Sequence, residues 1–266
     1  MKTLVFSHAN SYPAGCYRVL FETWRTAGWR VAALPKFGHD RRFPVTSNWP
    51  RLVDELALFI DTEVRPQQPV ALVGHSLGGV LSLMLAARRP ELAACVVQLD
   101  SPFIRGWRRA LLGLGKLSGL VWRVPPAAIA KQRRDHWPDA DAVRKHFSSK
   151  PIFQAWDPRM LDDYLACGFE PDPRRSGLRL AFHRGVETRI YAGLPHHLPS
   201  VARKLRCPVA FVAGTHSLEM RQGGLQATKA FIGPSLYRQI EGSHLFPMER
   251  PDETAAQVLA LLHAIG

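Results

Sequence analysis

The chain of 266 residues is long enough for one large α/β domain, and 46% hydrophobic with 21% charged residues is ordinary for a globular protein. No apolar run reaches the roughly 20 residues that span a bilayer, and the first strand-like run is too short for a signal peptide, so neither an integral membrane segment nor a leader is expected. The four cysteines lack metal-type spacing, which predicts reduced thiols, no metal site and a cytoplasmic location.

The net charge of +13 would suit nucleic acid, an anionic membrane surface or an acidic substrate. Residues 103–200 contain 17 Lys and Arg against 9 Asp and Glu. These charges are spread along the chain without a basic tail or a basic tract interleaved with aromatics. We therefore expect a cationic surface around one region and no nucleic-acid partner, and a substrate with an anionic group is compatible with that surface.

Apolar runs alternate with helical patterns through the first hundred residues. The predicted elements are a strand at 3–7, a helix at 16–27, a strand at 30–34, a helix at 48–64 capped by Asn48, a strand, turn and helix at 69–88, and a strand at 95–99 that ends at Asp100. Strand–helix alternation with short loops predicts a parallel sheet with right-handed crossovers and helices on both faces.

The alternation stops after Pro102 and resumes near residue 190. Between these points lie short helical patterns, broken by prolines, at about 104–120, 125–134, 139–147 and 157–167. The later elements are a helix near 196–205, a strand at 208–213, a helix near 218–231, a strand at 236–240 and a helix at 251–264. We therefore predict a core formed by residues 1–102 and 190–266, with a helical cap inserted at 103–189 over the carboxyl edge of the sheet.

The stretch 69–88 carries Gly74-His75-Ser76-Leu77-Gly78 between a β-branched run and a helix-forming run. In such a strand–turn–helix elbow, a serine is held in a strained backbone conformation with its Oγ above the sheet edge. Glycine is needed at Gly74 and Gly78 because a Cβ there would collide with the neighbouring strand and helix. The motif therefore predicts that Ser76 is a nucleophile.

Three motifs together resemble the α/β-hydrolase superfamily, in the order that this family has along the chain. They are His8-Ala9-Asn10 after the first strand, Gly74-His75-Ser76-Leu77-Gly78 in the middle and Gly242-Ser243-His244 near the end. The resemblance implies the α/β-hydrolase fold with a helical cap. Two strands usually precede the first motif in the family and only one does here, so a mostly parallel sheet of about six strands is expected.

The resemblance also implies roles for single residues. Ser76 would attack the substrate, and His244, in the loop where the family places its base, would take the proton. The family supplies two backbone N–H groups to the oxyanion hole. Here they belong to Leu77, which follows the nucleophile, and to Asn10, with Ala9 as the alternative to Asn10. No cofactor is implied.

The acid of the triad departs from the family pattern, because the loop after the penultimate strand, Gly214–Glu219, contains no Asp. Asp100 ends the strand that follows the nucleophile helix, where some α/β-hydrolases carry their acid, and it is our choice. Glu219 is the alternative. Asp100 could instead cap the turn at Ser101–Pro102, and Glu219 could simply begin a helix.

Other side chains are expected to have structural roles. His75 would pack and form hydrogen bonds beside the elbow, and His8 would brace its loop. The aromatic residues of the insertion are expected mainly to pack the cap on the core, with an acyl cavity as the alternative; they are Trp107, Trp122, Trp137, Phe147, Phe153 and Trp156.

The expected function is that of a cofactor-independent serine hydrolase that cleaves a carboxylic ester through a Ser-His-Asp triad and an acyl-enzyme. The expected partner is a small ester or acyl substrate. A C–C bond hydrolase, a thioesterase or a lysophospholipase-type lipase would use the same scaffold. Two other classes stay open: a non-catalytic hydrolase-like binding protein, suggested by the missing usual acid, and an RNA- or membrane-surface protein, suggested by charge alone.

Overall fold

A computed structural model describes residues 2–266. Its strands are β1 (Thr3–Ser7), β2 (Arg30–Ala33), β3 (Val70–His75), β4 (Ala93–Leu99), β5 (His136–Trp137), β6 (Phe169–Pro171), β7 (Leu178–Leu180), β8 (Val209–Gly214) and β9 (Tyr237–Ile240). Its α-helices are α1 (Arg18–Thr26), α2 (Pro50–Phe59), α3 (Leu77–Arg88), α4 (Trp107–Leu117), α5 (Ala127–Gln132), α6 (Ala140–Ser148), α7 (Pro151–Gln154), α8 (Pro158–Cys167), α9 (Arg184–Ala192), α10 (Leu198–Ala202), α11 (Leu218–Gly223), α12 (Leu225–Ile232), α13 (Phe246–Glu249) and α14 (Pro251–Ile265). None of these described helices is long and apolar enough to cross a membrane.

The large sheet has the strand order β2-β1-β3-β4-β8-β9, and all neighbouring strands are parallel. The predicted parallel sheet of six strands is therefore confirmed. The order reverses between β1 and β3, so the loops that leave the carboxyl ends of these two strands diverge and open a crevice. Ser76 directly follows β3 and His8 directly follows β1, which places two of the three motifs at this crevice.

The sheet is buried on both faces, and the two-residue period of the strands distributes their side chains between two layers. In β1, Leu4 and Phe6 pack with the apolar sides of α1 and α14, whereas Val5 packs with α2 and α3 on the opposite face. This burial explains why the central strands read as continuous hydrophobic runs in the sequence.

The predicted cap of the second helix is wrong. Trp49, with a left-handed backbone, precedes α2, and no side-chain hydrogen bond caps the helix. The side chain of Asn48 is used elsewhere, since its Oδ1 accepts hydrogen bonds from the backbone N–H of His196 and from the Nζ of Lys116. Asn48 thereby ties the start of α2 to more distant parts of the chain.

Residues 103–189, the predicted cap insertion, contain α4, α5, α6 and α8 close to the four predicted helices. The short helix α7, the helix α9, which runs past residue 189, and three strands were not predicted. These strands, β5, β6 and β7, form an antiparallel sheet in the order β5-β7-β6. Each has only two or three residues, too few to show the alternation that identifies a strand in a sequence.

The helix predicted at 218–231 is divided into α11 and α12, because Gly224 between them has a left-handed backbone with φ of 119°.

A close approach of α3 to β1 makes Gly78 a sensitive position. A Cβ at Gly78 would overlap the backbone carbonyl of Ser7, and backbone cannot move aside as a flexible side chain can. We expect Gly78→Ala to lower the free energy of unfolding by about 3 kcal/mol or more, measured by denaturant titration. In the control Gly113→Ala, within α4, the nearest atom would be 3.9 Å from the new Cβ, and a change under about 1 kcal/mol is expected. Equal effects of the two substitutions would contradict the close approach.

Candidate active site

Ser76 lies in the turn between β3 and α3 with an unusual backbone conformation, φ 53° and ψ −113°. Such a conformation costs a non-glycine residue on the order of 1–3 kcal/mol and persists only where the surroundings enforce it. Two hydrogen bonds do so here. The Ser76 N–H donates to the carbonyl of Leu99 at 2.8 Å, and the Ser101 Oγ–H donates to the carbonyl of Ser76 at 2.8 Å.

The structure brings together the three residues predicted for the triad. His244 follows β9, and its Nε2 lies 2.9 Å from the Oγ of Ser76. Its Nδ1 lies 2.7 Å from Oδ2 of Asp100. Because an ionised carboxylate can only accept, Nδ1 carries the proton and donates to Asp100. Nε2 is then free to accept the hydrogen of the Ser76 hydroxyl.

Asp100 follows β4 and is fully buried. Besides the imidazole of His244, its carboxylate accepts hydrogen bonds from the backbone N–H of Gly214 at 2.8 Å and from the Oγ–H of Ser217. A buried carboxylate is tolerated when hydrogen bonds replace its hydration. Gly214 is the last residue of β8, and Ser217 lies in the following loop, which lacks an Asp. The end of β8 and this loop therefore contribute hydrogen-bond donors to an acid that follows the neighbouring strand, β4.

Glu219 lies farther from the imidazole than Asp100 does. Its Oε2 is 4.0 Å from the Nδ1 of His244, and its side chain is 50% exposed, compared with 0% for Asp100. Burial lowers the pKa of His244, but the hydrogen bond and charge of Asp100, with a contribution from the charge of Glu219, raise that pKa above 6.5 overall. Asp100 is therefore placed to orient the imidazole by a hydrogen bond, whereas Glu219 is placed to act on it through its charge.

A metal ion would need ligand atoms that converge. Among the described residues Asp100, Glu219 and His244 offer one atom each within 4.8 Å of one another. However, both Asp100 oxygens already accept hydrogen bonds, and the Nδ1 proton of His244 points at one of them. This arrangement suits an acid–base pair better than a metal site.

His75 and Tyr17 connect the loops on the two sides of Ser76. The Nε2–H of His75 donates to the backbone carbonyl of His244 at 2.9 Å, so its Nδ1 accepts from the Tyr17 hydroxyl at 2.8 Å. The Tyr17 oxygen accepts from the backbone N–H of Ala9 at 3.2 Å. Burial, aided by the charge of His244, keeps the pKa of His75 well below 6.5, so this imidazole is neutral. The expected hydrogen-bonding role of His75 is met, but Tyr17 carries no signal in the sequence that would have identified it.

The hydrogen bond between Ala9 and Tyr17 affects the choice of oxyanion donors. Because the backbone N–H of Ala9 already donates to the Tyr17 hydroxyl, Asn10 is favoured as the donor from this loop. Asn10 is itself fixed, because its Nδ2 donates to the carbonyl of Glu187 at 3.3 Å. No described hydrogen bond uses the backbone N–H of Asn10 or of Leu77. His8 braces this loop as expected, since its Nε2 accepts from the N–H of Phe37 at 3.0 Å.

A cavity of about 320 Å³ opens beside Ser76 and His244. Apart from these two residues, its walls are largely apolar side chains, with Asn10, Gln222 and Glu219 as polar members. The apolar and aromatic lining residues are Trp49, Leu77, Val80, Pro102, Ile104, Pro126, Ile190, Tyr191, Leu194, Pro195 and Leu198.

None of the six aromatic residues named from the sequence lines this cavity. Trp137, Phe147, Phe153 and Trp156 are buried in packing contacts, and Trp107 and Trp122 are exposed.

The chain resembles known proteins over most of its length. The Alpha/beta hydrolase family matches residues 4–257. A pimeloyl-[acyl-carrier protein] methyl ester esterase of Neisseria meningitidis serogroup A is 30% identical over 251 residues, which cover 90% of this chain and 65% of that protein. The protein of the same name from serogroup C is 29% identical over 249 residues, 90% of this chain and 80% of that protein. The crystal structure of E-2-(acetamidomethylene)succinate hydrolase has a TM-score of 0.77 at 22% identity, over 98% of this chain and 91% of that one, a similarity of fold.

The different positions of the two carboxylates predict different effects on the pKa of His244. We expect Asp100→Asn to lower this pKa markedly, since a hydrogen-bonded charge is lost. Glu219→Gln should lower it less, because the lost charge is half-exposed and screened by solvent. Titration of the imidazole resonances by NMR, with His244 identified by their loss in His244→Gln, measures both shifts.

The exposed Glu253, on α14, provides the matched control for this titration. Glu253→Gln should leave the pKa of His244 unchanged. A larger fall in Glu219→Gln than in Asp100→Asn would show that Glu219 is the carboxylate that determines the charge state of the imidazole.

Proposed function

The chain belongs to the alpha/beta hydrolase family, and from this premise we propose that it is a serine hydrolase that cleaves a carboxylic ester with Ser76, His244 and Asp100. The observation that carries the proposal is the continuous line of hydrogen bonds from the Ser76 Oγ through His244 to the buried Asp100. The expectation of an ester-cleaving hydrolase agrees with the relatives, two of which are named methyl ester esterases.

The proposed reaction begins when the Ser76 Oγ attacks the ester carbonyl carbon while Nε2 of His244 takes the hydroxyl proton. The buried carboxylate of Asp100 stabilises the resulting imidazolium. The carbonyl oxygen, now an oxyanion, accepts hydrogen bonds from the N–H groups of Leu77 and Asn10. His244 then gives its proton to the departing alcohol, which leaves an acyl group on Ser76. A water molecule, deprotonated by His244, attacks this acyl-enzyme. The acyl–Oγ bond then breaks, His244 returns the proton to Ser76 Oγ, and the carboxylic acid is released.

The walls of the cavity support an uncharged acyl group as the part of the substrate bound beside Ser76. Glu219 is the only carboxylate in the lining, and Lys and Arg are absent from it. Arg133, the most deeply buried arginine of the insertion, is neutralised by Glu187, with Nη1 2.9 Å from a carboxylate oxygen. The excess of arginine at 103–200 therefore belongs to the surface, and we infer that an anionic group on the substrate would have to lie outside the cavity.

A non-catalytic binding protein was suggested by the missing acid after β8. Asp100, 2.7 Å from His244, supplies an acid from the end of β4 instead, and the strained backbone of Ser76 is of the kind found at active sites. Both observations favour turnover.

A reducing compartment, the cytoplasm, is the proposed location. Cys16 and Cys167 are free thiols whose Sγ atoms lie 3.2 Å apart. Thiols in such contact stay reduced in the cytosol, whereas an oxidising compartment favours their conversion to a disulfide. Thiol alkylation of protein taken directly from cells, before any exposure to air, tests this proposal.

Ser76→Ala tests the nucleophile. We expect hydrolysis of short-chain p-nitrophenyl esters to fall by about 10⁶-fold, because no group remains that can form the acyl-enzyme. The control is Ser82→Ala in α3, where a buried Oγ has no described hydrogen-bond partner; its kcat should stay within a few-fold of wild type. Retained turnover in a folded Ser76→Ala protein would contradict the proposal.

Asp100→Asn and Glu219→Gln separate the two carboxylates by kinetics. Asp100→Asn should lower kcat by about 10⁴-fold, as expected when the imidazole loses its orienting anion. Glu219→Gln should lower kcat by about fivefold or less. Because the base must be unprotonated, activity rises with pH through the pKa of His244; Glu219 raises that pKa, so Glu219→Gln should move the acidic limb of the pH–rate profile to lower pH. The reverse order of kcat effects would assign the acid to Glu219.

A further inference from the structure

The helix α4 presents its apolar side to solvent. Trp107, Leu111, Leu114 and Leu117 are 67%, 60%, 63% and 88% exposed, and no residue of α4 is buried. Their spacing of four, three and three residues places them on one side of the helix. Leu120 and Trp122, directly after α4, are 53% and 47% exposed and extend the same segment. We call these six side chains the outer stripe. Single exposed apolar residues are ordinary, but a contiguous group of this kind marks an interaction surface.

One side of α4, which carries Lys116 and the half-buried Leu112, is attached to the protein. The ammonium of Lys116 lies 3.1 Å from Ser47 Oγ, 3.2 Å from Asn48 Oδ1 and 3.3 Å from the carbonyl of Gly193, and 3.2 Å from Nδ1 of His196. Lys116 is a half-turn away from the outer stripe on the helix. The hydrogen bonds of Lys116 therefore hold α4 in the orientation in which the outer stripe faces solvent.

The surroundings of the outer stripe are cationic. Residues 101–134 contain eight Lys and Arg and no Asp or Glu. Of these eight, only Arg133 forms an ion pair among the described residues. Arg105, Arg108 and Arg221 line an open cavity of about 450 Å³ beside the amino-terminal end of α4, without a carboxylate in its lining. This cavity has the charge and donors to hold phosphate-type anions next to the apolar residues.

From these observations we propose that α4 and the segment after it dock on the surface of an anionic lipid bilayer, with the outer stripe among the acyl chains and the arginines at the phosphates. A helix with Trp and Leu on one side and Lys and Arg beside them is the pattern of helices that lie in a membrane interface. Ile104 and Pro126, at the two ends of the docked segment, both line the cavity next to Ser76. Docking would therefore place the entrance of that cavity near the lipid.

The outer stripe favours a lipid surface over other occupants. An acidic protein would be attracted by the same arginines, but charge attraction alone does not require six exposed apolar side chains. A second copy of the chain would bring two cationic surfaces together, at an electrostatic cost. A bilayer of anionic lipids matches both the apolar and the cationic part of the surface.

Sedimentation with vesicles tests the docking without any measurement of turnover. The full chain should bind vesicles of equal parts phosphatidylglycerol and phosphatidylcholine at least about tenfold more tightly than vesicles of phosphatidylcholine alone, and added salt should weaken this binding. Leu114→Gln with Leu117→Gln should weaken binding at least about tenfold. Arg105→Gln with Arg108→Gln should weaken it about 30-fold, since each basic residue at a membrane surface contributes about fivefold.

Matched substitutions elsewhere are the controls. Ile152→Gln replaces an exposed apolar residue of α7, outside the outer stripe, and Arg25→Gln with Arg30→Gln removes two exposed arginines near the opposite edge of the sheet. Both control proteins should bind as wild type does. The proposal would be overturned by no binding to anionic vesicles, or by binding that the leucine pair leaves unchanged. Without vesicle binding, a dimer in sedimentation velocity that the leucine pair dissociates would assign the surface to a second copy of the chain, and capture of a purified acidic protein would assign it to a protein partner.

Discussion

The buried charge of Asp100 is the constraint on which the arrangement of the site depends. A carboxylate without solvent contact is stable only with several hydrogen-bond donors, and here they come from His244, Gly214 and Ser217. His244 follows β9, Gly214 ends β8 and Ser217 follows β8, whereas Asp100 follows β4. One anion therefore connects the carboxyl ends of three strands. The hydrogen bond that helps to stabilise this buried charge also fixes the imidazole in the orientation in which its Nε2 faces Ser76 Oγ.

A second set of hydrogen bonds fixes the other side of Ser76. His75 contacts the backbone of His244, and through Tyr17 it contacts the backbone of Ala9. Because His75 is adjacent to Ser76 in the elbow, displacement of either loop would be transmitted to the serine. The base loop and the loop that offers Asn10 are therefore held relative to the same short segment.

The sequence was most informative where function depends on short-range geometry. Gly74 to Gly78 and Gly242 to His244 are local motifs, and Asp100 could be placed because parallel strands end at a common edge. Contacts between residues that no motif marks were not accessible: Tyr17 lies 58 residues from His75, and the walls of the cavity include Trp49 and Tyr191, which no pattern singled out. Periodicity also predicted a helix at 104–120 without revealing that its apolar side faces outward, because an amphipathic pattern does not state which side is covered.

Labelling with a fluorophosphonate is the most direct test of the claim that Ser76 is an activated nucleophile. The reagent reacts with serines whose base and oxyanion donors are assembled, so peptide mapping should find a single adduct, on the peptide that contains Ser76. The adduct should be absent in Ser76→Ala and strongly reduced in Asp100→Asn. A folded wild-type protein that takes up no label, or that carries the label on another serine, would contradict the assignment of the site.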